Sequence, residues 1–201
     1  MSKIVLTFDV VKEFIDICKK NCTKMQENQS FIETSYLKLG EEWNDNIYDL
    51  TGETLLVTGK YSSKIYEFIM KSLNGLVTFY NEMCDYNNTP QKKIYNIRIE
   101  PFVCKIRKGE KMKIDINTDP EALKRFHGQL AQYIDSISSL VRQIEDDYSS
   151  IRPYWDGKQY RQFGQEIQEY KVSIKKQLQS LELCNELIFR KYNQIVELLG
   201  K

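Results

Sequence analysis

Between Val10 and Leu39 the apolar and small positions fall at Val11, Phe14, Cys18, Cys22, Met25, Ile32, Tyr36 and Leu39. The steps are three, four or their sum of seven, with Gln29 in the long gap, so one stripe runs down one face of a long helix. Gly40 offers a stop, and Asn44, Asp45 or Asn46 can cap a new helix. The second helix runs from about Ile47 to Tyr86, with Leu55, Ile65, Ile69, Leu76, Phe79 and Met83 on its stripe. Gly52, Gly59 and Gly75 interrupt it, each costing about 1 kcal/mol against alanine in a helix interior.

The pattern then changes. Ile94-Tyr95-Asn96-Ile97-Arg98-Ile99 alternates, as does Met112-Lys113-Ile114-Asp115-Ile116. Period two with β-branching predicts short strands, and Arg107-Lys108-Gly109-Glu110 reads as a turn between them. Thr118-Asp119-Pro120-Glu121 announces a helix: Thr118 or Asp119 caps, and proline suits the first turn. The third helix carries Leu123, Phe126, Leu130, Tyr133, Ile137, Leu140, Ile144, Tyr148 and Ile151, a mean step of about 3.5 residues, the coiled-coil period. Pro153 ends it. The fourth begins near Gly157 and keeps the same period from Tyr160 to Leu199.

Laying residue n on residue n + 112 aligns Phe14 with Phe126, Tyr36 with Tyr148, Trp43 with Trp155, Tyr48 with Tyr160 and Tyr80 with Tyr192. The chain reads as two copies of long helix, Trp-containing turn, long helix. A helical hairpin with one apolar face needs a second hairpin to cover it. The expected fold is therefore all-α: two long helical hairpins form an elongated four-helix bundle, joined by a short β-containing connector. The units are residues 1–87, the connector 88–116, and residues 117–201.

Composition narrows the function. With 201 residues and 41% hydrophobic side chains, the chain can bury a real core without metal or disulfide staples. Four prolines and nine glycines argue against a turn-rich β protein. No apolar run reaches the roughly 18–20 residues of a membrane span. The Met1–Asp9 stretch is too short and too soon interrupted by Asp9 to read as a secretory signal. Five scattered cysteines without a CxxC pair suit a reducing compartment of origin. Cys18 and Cys22 share a helix face, but two ligands do not make a zinc site and His127 has no cysteine neighbour, so no metal or other cofactor is expected.

The net charge of +1 gives no whole-molecule case for nucleic acid. It hides an asymmetry, since residues 91–113 hold eight basic side chains, among them Lys105, Arg107, Lys108 and Lys111, against two acids. Such a connector either keeps strand edges from pairing, or docks an acidic partner or packs along the acidic bundle.

Enzymatic chemistry finds no support. Gly52…Gly59-Lys60-Tyr61 has the wrong spacing for a phosphate loop and no preceding strand. Glu41-Glu42 and Asp146-Asp147 point about 100° apart on a helix and suit solvated helix ends rather than an acid/base pair. His127 has no nucleophile or orienting acid assigned to it, so neither a triad nor a hydrolytic toxin is indicated.

The second turn, Tyr154-Trp155-Asp156-Gly157-Lys158-Gln159-Tyr160-Arg161-Gln162-Phe163, resembles the WXG superfamily, the early-secreted-antigen-like proteins of bacterial type VII secretion. Their pattern is Trp-x-Gly between two long helices with an aromatic eight residues later, matched by Trp155, Gly157 and Phe163. The first copy departs: Trp43-Asn44-Asp45 has aspartate for glycine, and Thr51 replaces the later aromatic. The family's C-terminal tyrosine followed four residues later by an acid is not met either, because Val196 follows Tyr192 at that spacing and Glu197 comes one later.

The resemblance implies a fused pair of hairpins, a monomer that is its own pseudo-dimer, antiparallel with the Trp turns at opposite ends. The connector of about 29 residues reaches roughly 95 Å, ample for a helix length of about 48 Å. It also implies a non-catalytic protein–protein interaction component, exported or co-exported without a cleaved signal peptide. Each tryptophan has a structural role as a buried ring closing one end of the bundle; in addition, Trp43, Trp155, Asp156, Gly157 and Phe163 would meet partners, namely other proteins of the secretion system or a helical effector domain. The alternative is a cytoplasmic adaptor or chaperone for a larger secreted effector.

Overall fold

The computed structural model describes residues 7–43, 45–86, 93–100, 105–106, 119–153 and 158–200. Four α-helices account for most of them: α1 Phe8–Leu39, α2 Asn46–Tyr86, α3 Pro120–Ile151 and α4 Lys158–Leu199. A shift of 112 carries α1 onto α3 at both ends and α2 onto the start of α4.

Each start has a chemical cause. The Thr7 hydroxyl accepts the Val10 N–H, and Asp119 accepts the Glu121 N–H just before Pro120 opens α3. At the head of α2, Asp45 Oδ1 accepts the N–H groups of Ile47 and Tyr48 at 2.8 and 3.2 Å. The aspartate that breaks the Trp-x-Gly pattern in the first copy is thus the cap of the following helix.

The hairpins are antiparallel and pack antiparallel to one another. Asn21 donates to Asp147 and Asn28 to Ser136, so α1 and α3 run in opposite directions. Thr54 meets Cys184, while Phe68, farther along α2, meets Phe163 and Tyr170, which sets α2 antiparallel to α4. Around the ring α1 touches α2 and α3, and α4 touches α2 and α3. The turn between α1 and α2 consequently lies at the opposite end from the turn between α3 and α4. The core runs the length of the bundle, with Leu55, Leu123, Leu130, Ile137 and Leu181 wholly buried. Each such side chain contributes about 1.5–3 kcal/mol relative to exposure.

Two expectations are revised and one is met. The glycines do not interrupt α2, which is continuous over 41 residues. Gly40 does end α1, as its C-cap, in a right-handed conformation with φ −64°. No strand forms among the described connector residues, 93–100 and 105–106, whose backbone groups bond to helix side chains instead; the second predicted strand, 112–116, lies outside the described residues.

Candidate interaction site

The two ends of the bundle close with the same device. Tyr36 stacks on Tyr48 with ring centroids 4.2 Å apart and planes 10° from parallel; Tyr148 stacks on Tyr160 at 4.3 Å and 13°. The Tyr36 hydroxyl donates to the Tyr48 carbonyl at 3.2 Å, and the Tyr148 hydroxyl to the Tyr160 carbonyl at 3.0 Å. These are the repeat-related tyrosines. Each hydroxyl lies over a repeat-related glycine, Gly52 or Gly164, where a Cβ would overlap it. Gly40 makes room for the Tyr48 hydroxyl in the same way. Burial, first, and the bond to Tyr48 hold the Tyr36 phenol far above its ordinary range, so it remains a donor.

Trp43 follows this closure inward. It is 3% exposed and sets its ring edge-on to Tyr48 at 6.1 Å. Phe163 is 5% exposed and lies between Phe68, at 5.3 Å, and Tyr148, at 5.5 Å. Both aromatics therefore serve the interior of the bundle rather than an open surface. Trp155, Asp156 and Gly157 lie outside the described residues. On the surface of the first turn, Lys191 of α4 reaches Asp45 at 3.5 Å and ties the end of the second hairpin to the cap of the first.

The described connector residues form a strap, 93–100 along α2 and 105–106 at α1. Asn81 makes two bonds to the backbone of Ile94, donating to its carbonyl at 2.8 Å and accepting its N–H at 3.1 Å. Asn74 does the same for Ile97 at 2.9 and 2.6 Å. The Glu100 N–H then reaches the Tyr66 hydroxyl at 3.2 Å. Contacts recur at 94, 97 and 100, every third residue, the period of a polyproline II chain with a rise of about 3.1 Å. Three such residues span about 9 Å, close to the roughly 10.5 Å of the seven helical residues between Asn74 and Asn81. Two asparagines one heptad apart thus do for an extended chain what a neighbouring strand would.

Farther along, the Lys105 N–H donates to Glu33 Oε2 at 2.7 Å, and its ammonium binds the hydroxyls of Ser30 and Thr34 at 2.8 and 3.1 Å. Glu33 is 0% exposed and its other oxygen accepts from Gln29 at 2.6 Å. Tyr133 of α3 donates in turn to Gln29. This buried polar chain joins strap, α1 and α3, and a buried carboxylate is tolerated because donors surround it. Lys105 is thereby engaged with the bundle itself; Arg107, Lys108 and Lys111 lie outside the described residues.

The other chemically capable groups are also occupied. His127 pairs its Nδ1 with Asn185 Oδ1 at 2.9 Å and stacks on Phe189 at 4.9 Å. Burial, with the nearby charges of Asp147 and Cys22, pushes the Cys18 thiol up, and burial pushes Cys22 up to about 12. Among the described residues, no three of His, Cys, Asp and Glu gather as metal ligands. No helix among them is long and apolar enough to cross a membrane. Lys60, of the discarded phosphate-loop reading, sits within continuous helix.

Several of these residues escape a stripe-based reading. Gly52 with Gly164, and Glu33 with Glu145, are visible as matches in the 112-residue repeat. Asn74 and Asn81 announce themselves only by their heptad spacing on a helix otherwise read for its apolar face. Comparison with protein-family models, curated proteins and solved structures finds no match to this chain.

Proposed function

We propose that this chain is a non-catalytic protein–protein interaction component of a type VII secretion system, exported or co-exported, acting as a monomer that contains both halves of a helical-hairpin dimer. The observation that carries the reading is the pairing of two repeat-related hairpins, antiparallel, with their turns at opposite ends. That is the arrangement implied by the resemblance of Trp155-Asp156-Gly157 and Phe163 to the WXG pattern. Recognition would use helix faces and the turn ends. The burial of Trp43 and Phe163 moves the expected contact from those rings to the surface they support, around Asp45 and Lys191 at the first turn.

The test compares culture supernatant with cytosol in cells with and without the secretion ATPase. Appearance of the chain outside the cell only when the ATPase is present supports the reading. Strict retention in the cytosol overturns it in favour of an adaptor for a secreted effector. Light scattering on the purified chain checks the pseudo-dimer separately: a monomer is expected, and an obligate dimer would sink that part.

A further inference from the structure

The 112-residue repeat makes a second strap groove. The first lies between α1 and α2 and holds the connector through Ser30, Glu33 and Tyr66. Their repeat counterparts are Arg142, Glu145 and Leu178, and all three line a groove of about 320 Å³ between α3 and α4. Because α1 and α4 sit at opposite corners of the bundle, the two grooves face opposite flanks. At the first, Glu100 and Lys105 of the connector bond to the helices on either side.

The second groove differs from the first in charge. Val141, Ile174 and Leu178 supply apolar lining, as an isoleucine-pegged chain requires. At the corresponding positions of the first groove there are two acids, Glu33 and Glu67, and no base; there the connector brings Lys105 to Glu33 and Ser30. The second groove presents Arg142, Lys171 and Lys175 against Glu145 and Glu182. Lys171, which stands where the first groove has Gly59, holds Glu145 at 2.6 Å and so takes the place of the strap's N–H on the counterpart carboxylate. Arg142 and Lys175 make no ion pair with any described residue.

We infer that the α3/α4 groove binds an extended segment of a partner protein, apolar side chains seated between the helices and acidic side chains on Arg142 and Lys175. Its Arg142, Glu145 and Leu178 stand where Ser30, Glu33 and Tyr66 hold the connector, and its reversed charge selects an acidic occupant. It lies along the flank of the bundle, so its occupancy is separable from docking at the turns and from export.

Fluorescence anisotropy with labelled peptides tests this on the full chain. One probe is the strap sequence Lys93–Ile106 carrying Lys93→Glu, Arg98→Glu, Lys105→Glu and Cys104→Ser; a second retains the native charges; a third is polyglutamate of equal length. The acidic strap peptide is expected to bind, more weakly as salt rises, and Arg142→Glu with Lys175→Glu should reduce its affinity by about tenfold or more. Lys19→Glu with Lys20→Glu, exposed on α1, should leave it unchanged. Circular dichroism melting shows that each variant is folded. The inference is overturned if the acidic peptide fails to bind, if the groove variant binds it as well as the parent, or if the native-charge peptide or polyglutamate binds equally tightly.

Discussion

The hydroxyl of Tyr36 occupies the space that a side chain at Gly52 would need, and 112 residues later Tyr148 stands in the same relation to Gly164. Helix propensity alone says that either glycine should be improved by alanine. Packing says the opposite, because each tyrosine is held by its stack and its hydrogen bond. Gly52→Ala and Gly164→Ala are each expected to destabilise the fold by about 1–3 kcal/mol. Gly75→Ala, with nothing within 4 Å of the new methyl, should stabilise by up to about 1 kcal/mol. Urea denaturation of the three variants checks the contrast; stabilisation by Gly52→Ala would refute the closure device.

Asn74→Ala and Asn81→Ala each remove two bonds from the strap. A net loss of about 1 kcal/mol per bond falls on the strap's attachment rather than on the helices. Amide exchange at Ile94 and Ile97 should accelerate markedly in the double variant, and proteases should cut the connector sooner. Amides in the middle of α3 should exchange as before. Unaltered protection at Ile97 would show that the asparagines do not hold the strap.

Asp45 has two duties, capping α2 and pairing with Lys191. Asp45→Ala is expected to cost about 1 kcal/mol, and Asp45→Gly, which restores the Trp-x-Gly tripeptide, less, because glycine is the better of the two at a cap. Thermal melting ranks the pair, and equal stability of all three chains would remove the cap from the account.

Asp147 gives a pH signature. Burial first, then the charge of Asp146, raises its carboxyl above the ordinary 3.8, while a hydrogen bond from Asn21 opposes them. The folded chain therefore holds this proton more tightly than the unfolded chain. Its contribution favours folding at low pH and is lost as the pH rises from 3.8 through the folded value. Asp147→Asn keeps an acceptor for Asn21 and cannot ionise. It should be more stable than the parent at neutral pH, with the difference closing below about pH 4. Urea midpoints across that range decide it, and a variant that gains nothing at neutral pH contradicts the sign.

Cys18 and Cys22 should be inert in the folded state, since burial keeps both as thiols. Maleimide labelling followed by mass spectrometry is expected to modify them only as fast as the chain unfolds. Rapid labelling in native buffer would place them at a surface.

The helices were legible because a 3.5-residue stripe is a local signal repeated many times, and the 112-residue offset set the boundaries twice over. The glycines in α2 were misjudged for the opposite reason. A propensity is a property of one residue, whereas the need for Gly52 comes from a tyrosine on another helix. The alternation in Ile94–Ile99 correctly indicated extended chain but not its partner, since β-branched residues suit any extended backbone that lies on an apolar surface. Trp43 and Phe163 are legible as aromatics at the ends of the bundle, and their burial agrees with the reading of a ring that closes the core there. An aromatic beside a turn carries the same letter whether it faces a partner or the core, and only the neighbours, Tyr48 for one and Phe68 for the other, decide.

The strap also sets a number. A bundle made of two like hairpins related by a twofold would offer each flank twice, and whatever fits one would fit the other. With the connector laid over α2 and α1, one of the two flanks is spent on the chain itself. If partners dock along these flanks as proposed, a chain of this build would be univalent along its sides, meeting them one to one where a free hairpin dimer would meet them in pairs.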